Sequence, residues 1–441
     1  GTGQGGFQLA ASLRQEGYQS PITMVGDEDC LPYQRPPLSK AYLKDGRLDA
    51  IQLRPASFYE RNSIDIVVPE RVTVINRASR TVETLTGRTL PYEHLVLATG
   101  ARSFIPPIPG LEAAKVHSLK TTADANDLRD ALTTSRKIIV IGGGFIGLEF
   151  AAVAISLGHQ VTVVEAASRL MARVVSEPMS ETFRVFHERM GSELVLGASV
   201  VEVAVGHDGL ARGVRLSDGR SIEGDMILVA AGVRPNTELA AAAGLQVANG
   251  IVVNSSLMTA DPSISALGDC AAFPCPSSGG MIRLESVQAA TDHARTIARR
   301  IVGKSVTYDA LPWFWSDQGT LKLQIAGLGQ AADEDVAVVR PEGRQLVFRF
   351  KMGQLLSVET INAAGEHMAA RQLLRHPSGV SLDALEARDF DFVGLAKALK
   401  EPGWWINMRR RRSGAPLNAR LSALRLASLV RLSYETTSRS S

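Results

Sequence analysis

The sequence contains the pattern Gly-x-Gly-x-x-Gly twice, once from Gly1 and once from Gly142. The second copy lies in KIIVIGGGFIGLEFAAVAISLGHQVTVVEA, where an apolar, β-branched strand precedes the glycines and a helix, a strand and Glu165 follow them. Gly142 allows a tight turn, Gly144 lets the backbone approach a pyrophosphate, and Gly147 lets the helix pack closely on the strand. The N-terminus of that helix attracts phosphates. The second copy therefore predicts a complete dinucleotide-binding unit.

The first copy, GTGQGG, runs into the helical pattern FQLAASLRQEG and then into the strand PITMVGDED. Turn, helix, strand and acidic residue follow in the same order as in the second copy. Such a turn normally follows a buried strand, so we expect a further strand before Gly1. Two units of this kind predict two bound nucleotides.

Two other strand ends carry small residues that let the backbone approach a ligand. The stretch YEHLVLATG ends a buried strand at Ala98, Thr99 and Gly100. The stretch DPSISALGDC ends another strand at Gly268 and Asp269, and the Asp269 carboxylate can accept a hydrogen bond from a sugar-chain hydroxyl.

These patterns predict an α/β fold with two Rossmann-like dinucleotide-binding domains and a C-terminal α+β domain. After DALPWFWSDQ the pattern changes to alternating strands, among them LKLQIAGL and RQLVFRFK, followed by short helical stretches. The boundaries that we predict are 1–112 with 241–309 for a split first domain, 113–240 for the second, 310–400 for the third, and 401–441 for a basic, disordered tail.

Charge and composition argue against several classes of function. Residues 401–441 hold eight Arg and two Glu, which accounts for more than the whole net charge of +3 and gives no reason to expect nucleic-acid binding. The sequence has no run of ~20 apolar residues, so we expect a cytoplasmic protein without a membrane span. The three cysteines and eight histidines show no metal-ligand spacing, and we expect neither disulfides nor a bound metal.

The stretch LPYQRPPLSKAYL, with LATG, GGGFIGLE, LGDCA, LESV and PWFWSDQ, closely resembles the bacterial flavoprotein ferredoxin reductases. The likeness covers residues 1 to about 400 in the expected order. It implies a fold like that of glutathione reductase, with FAD in the first nucleotide domain, NADH in the second, and a third domain on the flavin side. Since family members have a strand before the first glycine turn, we expect a chain that begins at Gly1 to retain FAD weakly.

The resemblance also assigns cofactor-binding residues. The FAD set runs from the pyrophosphate turn and the adenosine to the flavin ring and comprises Gly1, Gly3, Gly5, Gly6, Asp27, Arg35, Lys40, Val72, Ala98, Thr99, Gly100, Asp269, Glu285, Ser286 and Val287. The NADH set comprises Gly142, Gly144, Gly147 and Glu165.

Four residues are implied in the chemistry. Lys40 would be a fixed cation beside the flavin that stabilises the negative charge arriving with hydride. Glu149 would pair with Lys40 where the nicotinamide docks, and Phe145 would cover the flavin until NADH displaces it. Trp315, in PWFWSDQ, would belong to the side on which the protein partner docks, because large aromatic side chains are favoured anchors at interfaces.

Glu165 predicts the choice of nicotinamide coenzyme. A carboxylate at this strand end can bind a ribose diol, whereas a 2'-phosphate ~4 Å away would cost about 4 kcal/mol at an effective dielectric near 20, before screening. We therefore expect NADH rather than NADPH.

The electron acceptor follows from the stretch Leu38-Ser39-Lys40-Ala41, which has no thiol where flavin disulfide reductases have a cysteine pair. Electrons must then leave from the flavin itself, which passes them singly to an acceptor such as a 2Fe-2S ferredoxin. This ferredoxin would serve a Rieske dioxygenase or a haem monooxygenase. The alternatives are an NADH oxidase or peroxide reductase, and a redox-sensing binding protein like apoptosis-inducing factor. The oligomeric state stays open between monomer and homodimer.

Overall fold

The computed structural model describes residues 1–276, 278–377 and 379–398. The chain divides into a compact unit, Gly1–Phe390, and a second unit that begins at Asp391. The predicted basic tail, 401–441, lies outside the described residues. No helix in the described ranges is long and apolar enough to cross a membrane.

Residues 1–103 begin with the predicted order of turn, helix and strand. The helices are α1 (Gln4–Gln15), α2 (Ala41–Asp45), α3 (Leu48–Ile51) and α4 (Ala56–Arg61). The strands are β1 (Ile22–Val25), β2 (Ile64–Val67), β3 (Val72–Asn76), β4 (Thr81–Thr84), β5 (Thr89–Pro91), β6 (Leu95–Leu97) and β7 (Ala101–Ser103). Strands β1 and β2 are parallel, and β3, β4 and β5 form an antiparallel sheet.

The middle of the chain forms a five-stranded parallel sheet. The elements of this part are β8 (Val116–His117), α5 (Thr122–Thr134), β9 (Lys137–Ile141), α6 (Phe145–Ser156), β10 (Gln160–Glu165), α7 (Glu177–Met190), β11 (Ser192–Leu196), β12 (Val200–Val205), β13 (Ala211–Leu216), β14 (Ser221–Glu223), β15 (Met226–Val229) and β16 (Val233–Pro235). Strands β12, β13 and β14 form a separate three-stranded sheet, and β16 pairs with β7. The strand order β11-β10-β9-β15-β8 places β9 centrally, and its residues 138–141 are buried as expected for a covered parallel sheet.

The chain then returns to the first part. The elements are α8 (Glu238–Ala242), β17 (Val247–Ala248), β18 (Gly250–Val252), β19 (Ile264–Ala266), β20 (Ala271–Cys275), β21 (Gly280–Ile282) and α9 (Val287–Ile301). Strand β19 pairs in parallel with β6, and α9 packs against α1, where a Cβ on Gly5 would lie 3.6 Å from the Ala290 side chain. This return positions the start of α9 beside the first glycine turn.

The remaining described residues build an antiparallel sheet. The elements are β22 (Trp313–Gln318), β23 (Leu321–Gly327), β24 (Glu334–Arg340), β25 (Arg344–Lys351), β26 (Gln354–Ile361), α10 (Ala364–Leu373), α11 (Leu382–Glu386) and, in the second unit, α12 (Phe392–Ala398). The strand order is β22-β23-β26-β25-β24. The predicted fold class, α/β followed by a C-terminal α+β part, is confirmed.

Candidate active site

The second glycine turn is held in shape by close backbone contacts. Gly142 has φ +112°, and a Cβ there would lie 2.5 Å from the Ala230 carbonyl oxygen. A Cβ on Gly147 would lie 2.2 Å from the carbonyl oxygen of Gly142, so α6 starts directly against the turn. A Cβ on Gly144 would meet nothing within 4 Å. The middle glycine therefore faces open space that a pyrophosphate can enter.

The first glycine turn repeats this geometry position by position. A Cβ on Gly1 would lie 2.1 Å from the Ala98 carbonyl oxygen, and one on Gly6 would lie 1.9 Å from the carbonyl oxygen of Gly1. The middle residue, Gly3, again has open space around it. Both turns thus leave the same face of the backbone open, and the residues present fit two dinucleotides.

Helices α1 and α6, which follow the two glycine turns, differ at their N-termini from α5, α7 and α9. The N-cap residues of α5, α7 and α9 are Thr121, Ser176 and Ser286, and each accepts a hydrogen bond from a backbone N–H of the first turn. The N-caps of α1 and α6 are Gly3 and Gly144, which supply no such bond. The first N–H groups of α1 and α6 are therefore available to phosphate oxygens.

A buried ion pair joins the two nucleotide-binding parts. The Lys40 ammonium lies 2.6 Å from Oε2 of Glu149, whose residue is 6% exposed. Ser39 donates to the same oxygen at 2.5 Å, and Ser316 donates to Oε1 at 2.7 Å. The carboxylate thus receives hydrogen bonds from three side-chain donors. Ser39 and Ser316 were not among the predicted site residues, although both lie inside the motifs that carry the resemblance.

The local sequence explains how these groups meet. Pro36 starts a single 3-10 turn, Pro36–Ser39, which buries Ser39 and places Lys40 at its end. Phe145 and Glu149 are four residues apart and therefore share a face of α6. The predicted partnership of Lys40 with Glu149 is present in the structure.

The residues WFWSDQ of the PWFWSDQ stretch form β22, and their side chains alternate between two faces. Phe314 contacts Phe145 in a T-shaped arrangement with ring centroids 4.9 Å apart, on the same face as Ser316. Trp313 and Trp315 are on the other face, with centroids 5.7 Å apart. The structure therefore joins Phe145 to β22 through Phe314, while Trp315 projects away from the Lys40–Glu149 pair.

The residues predicted for the adenosine end of FAD lie together. Asp27 follows β1, and its carboxylate accepts a hydrogen bond from Arg71 at 2.7 Å. Val72, the next residue after Arg71, begins β3. More than half of the Asp27 side chain is exposed, so it is accessible to a ribose hydroxyl.

Besides Lys40, another lysine side chain, that of Lys120, lies near Arg35 and Asp269. Arg35 is paired with Glu28 and donates to the Lys120 carbonyl oxygen at 2.6 Å. The Lys120 ammonium lies 3.1 Å from the Asp269 carboxylate. The cluster places two cations beside Asp269. Lys120 was missed because nothing around it in the sequence indicates a ligand.

The other residues that the resemblance assigns to the flavin are Thr99, Gly100, Glu285, Ser286 and Val287. Thr99 donates to the Asn236 carbonyl oxygen at 2.7 Å, and the Asn236 amide donates to the Thr99 carbonyl oxygen at 2.8 Å, which holds Gly100 at φ +64°. Glu285 is paired with Arg283 at 2.7 Å. Ser286 caps α9, whose first residue is Val287.

Glu165 lies against the second glycine turn. Its carboxylate accepts hydrogen bonds from the backbone N–H of Gly143 at 2.7 Å and of Ala167 at 2.8 Å. These bonds fix the carboxylate at the end of β10, against Gly143 of the second glycine turn. Arg169 is engaged elsewhere, because it donates to Val175 and Ser180 at 2.9 and 2.7 Å.

Comparison with known proteins agrees with this arrangement. Residues 1–294 match the family model for pyridine nucleotide-disulphide oxidoreductases, and residues 313–396 match the Reductase C-terminal model. Rhodocoxin reductase of Rhodococcus erythropolis is 44% identical over 395 residues, which cover 89% of this chain and 92% of the relative. Among solved structures, the ferredoxin reductase for the CYP199A2 system from Rhodopseudomonas palustris is 42% identical with a TM-score of 0.87, covering 90% of this chain and 98% of that one.

A second solved structure is the covalent complex of putidaredoxin reductase with putidaredoxin. Its match is 36% identical with a TM-score of 0.85, and it covers 90% of this chain and 98% of the other. The whole described architecture, including the C-terminal sheet, is therefore shared with these proteins. The chain belongs to the pyridine nucleotide-disulphide oxidoreductases, in the group of FAD-dependent NADH:ferredoxin reductases that carry the Reductase C-terminal domain.

Proposed function

We propose that this protein takes hydride from NADH onto FAD and passes single electrons to a 2Fe-2S ferredoxin that supplies a Rieske dioxygenase or a haem monooxygenase. The observation that carries the proposal is the cluster that Ser39 and Lys40, in the stretch Leu38–Ala41, form with the buried Glu149. Ser39 and Lys40 both bind Glu149 there, at the place where a flavin disulfide reductase would carry its redox-active cysteines. The cluster supplies charge and hydrogen bonds but no thiol.

Cys30 and Cys270 are poor electron acceptors. Neither forms a disulfide, and Cys270 is buried, donating to the carbonyl oxygen of Leu267 at 3.2 Å. Burial raises the pKa of the Cys270 thiol, and burial is also the main cause of the raised pKa of Cys30. Because the thiolate is the reactive form, neither residue is prepared to react with a reduced cofactor. This supports direct electron release and disfavours a peroxide reductase.

Bound FAD supplies the step between a two-electron donor and a one-electron acceptor. The protein residues supply position and charge. Lys40 is held by Glu149 and also donates to the Pro36 carbonyl oxygen at 3.1 Å, so the ammonium is fixed before any ligand arrives. A fixed cation stabilises developing negative charge without reorganising during the reaction.

NADH is the proposed reductant because of Glu165. Its carboxylate is fixed by two backbone N–H groups, and a 2'-phosphate beside it would be repelled. We propose that residues 113–240 form the NADH-binding domain and that 1–112 with 241–309 form the FAD-binding domain, with 310–400 as the third. A cytoplasmic location rests on the same proposal, since NADH is available there.

The face of β22 that carries Trp313 and Trp315 is the proposed side for the ferredoxin. The Arg371 guanidinium lies over the Trp313 ring, 4.5 Å from its centroid, and His367 contacts the same ring. Aromatic and arginine side chains are common energetic anchors in interfaces. That a relative of this chain forms a complex with putidaredoxin supports a small iron-sulfur protein as the partner.

The test compares electron acceptors under steady-state conditions with NADH and added FAD. We expect turnover with a 2Fe-2S ferredoxin or ferricyanide to exceed turnover with oxygen or peroxide by about 100-fold or more, because flavin electrons leave singly. The same assay with NADPH should show a kcat/KM lower by about tenfold or more. Faster turnover with oxygen or peroxide would favour an oxidase, and slow turnover with every acceptor would favour a redox-sensing protein.

A further inference from the structure

The face of β22 opposite Trp313 and Trp315 carries buried polar residues next to Glu149. Phe314, Ser316 and Gln318 alternate on this face, and both Ser316 and Gln318 have no exposed surface. Ser316 donates to Glu149 at 2.7 Å, and Phe314 contacts Phe145. One strand of the C-terminal sheet thus contacts both α6 residues assigned to the nicotinamide site.

Gln318 determines the direction in which the Ser316 hydroxyl points. The Gln318 amide donates to Ser316 Oγ at 3.2 Å and to the sulfur of Met171 at 3.7 Å. Because the amide N–H occupies a lone pair of Ser316 Oγ, the single hydroxyl proton is left to point at Glu149. The side chain of Ser316 is therefore a dedicated donor to the carboxylate.

His187 completes this chain of contacts from α7. Its Nε2 lies 2.9 Å from Oε1 of Gln318, and the residue is fully buried. Burial lowers the pKa of His187, so the neutral ring donates its Nε2–H to the amide oxygen. With its oxygen bound by His187, the Gln318 amide can present only its nitrogen to Ser316.

We propose that Ser316 and Gln318 are positioning residues, which keep the Glu149 carboxylate in the orientation that holds Lys40. The inference rests on the proposed function and gives the C-terminal sheet a role in the reduction of FAD by NADH. Ser316 occupies Oε1, which leaves Oε2 for Lys40 and Ser39. Without Ser316 the carboxylate can rotate, and the Lys40 ammonium loses its fixed partner.

The experiment compares Ser316→Ala and Gln318→Leu with a matched control, Ser357→Ala. Ser357 is also fully buried in a strand of the same sheet, and its hydroxyl has no hydrogen-bond partner among the described residues. All variants are loaded with FAD and mixed with NADH without oxygen. The readouts are the rate constant for loss of the oxidised-flavin absorbance, the Kd for NADH, and the long-wavelength absorbance that appears when NAD+ binds the reduced enzyme.

For Ser316→Ala we expect a rate constant about tenfold lower, a Kd for NADH within about twofold of wild type, and a weaker long-wavelength absorbance. Gln318→Leu should change the same readouts in the same direction by less, and Ser357→Ala should leave them unchanged. Adding Ser316→Ala to a Glu149→Gln background should give no further loss, because the two residues act through one carboxylate.

Two results would overturn the inference. One is a Ser316→Ala variant whose rate and absorbance match those of Ser357→Ala. The other is an additive loss in the Glu149→Gln background, which would mean that Ser316 acts on something other than Glu149. A wild-type rate for Glu149→Gln alone would instead contradict the proposed function, so the two failures are distinguishable.

Discussion

Replacing Glu149 with glutamine is expected to slow the reduction of bound flavin by NADH by about 100-fold or more, the effect of losing one fixed electrostatic group at a reacting centre. Glu149 is buried and paired with Lys40 at 2.6 Å. The neutral amide leaves the Lys40 ammonium without its counter-charge. It also places an N–H group where the carboxylate accepts hydrogen bonds from Lys40, Ser39 and Ser316. The measurement is the anaerobic rate of loss of the oxidised-flavin absorbance at saturating NADH.

The same substitution should also lower the free energy of unfolding by about 3 kcal/mol, because one partner of a buried ion pair is removed. Glu238→Gln is the matched control. Its carboxylate pairs with Arg102 at 2.7 Å, but both side chains are more than half exposed, so little change is expected. A flavin reduction rate for Glu149→Gln within about threefold of wild type would show that the pair does not take part in the chemistry.

Replacing Gly144 with valine should leave the fold intact and weaken NADH binding by about 100-fold or more, since added bulk would occupy the position of the pyrophosphate. A Cβ on Gly144 meets no protein atom within 4 Å, and the backbone there has φ −86°, which other residues adopt easily. Thermal unfolding and FAD content should stay near wild type. The Kd for NADH, from the dependence of the anaerobic flavin reduction rate on NADH concentration, checks the prediction.

Two other glycines provide contrasts for this test. Gly365→Val is the neutral control, because a Cβ there also meets nothing within 4 Å and the residue lies in α10. Gly147→Val should lower stability itself, since its Cβ would lie 2.2 Å from the Gly142 carbonyl oxygen. If Gly144→Val binds NADH as tightly as wild type, the second glycine turn does not hold the coenzyme.

The sequence was sufficient to predict the elements that follow local rules. Glycine turns, the helices after them and the acid at the end of β10 lie close together in the chain, so their spacing alone indicates the nucleotide-binding units. Alternation in LKLQIAGL and RQLVFRFK likewise predicted strands of the C-terminal sheet, which the structure has as β23 and β25. The split first domain, 1–112 with 241–309, stays a prediction; the structure pairs β19 with β6.

Contacts between distant segments were harder to predict. The pairing of Lys40 with Glu149 followed from the resemblance, and the structure contains it. The roles of Ser316 and Lys120 were not anticipated, because each depends on which face of an element meets another part of the chain. In PWFWSDQ the tryptophans attract attention, yet the smaller residues on the opposite face of β22 contact the site.

The most direct test of the two-nucleotide account is a crystal structure of the protein with FAD and NAD+ bound. The account predicts the FAD pyrophosphate at the turn that contains Gly3, the NAD+ pyrophosphate at the turn that contains Gly144, and the nicotinamide ring beside Lys40 and Glu149. A nicotinamide ring bound away from that pair, or FAD bound at the second turn, would contradict it.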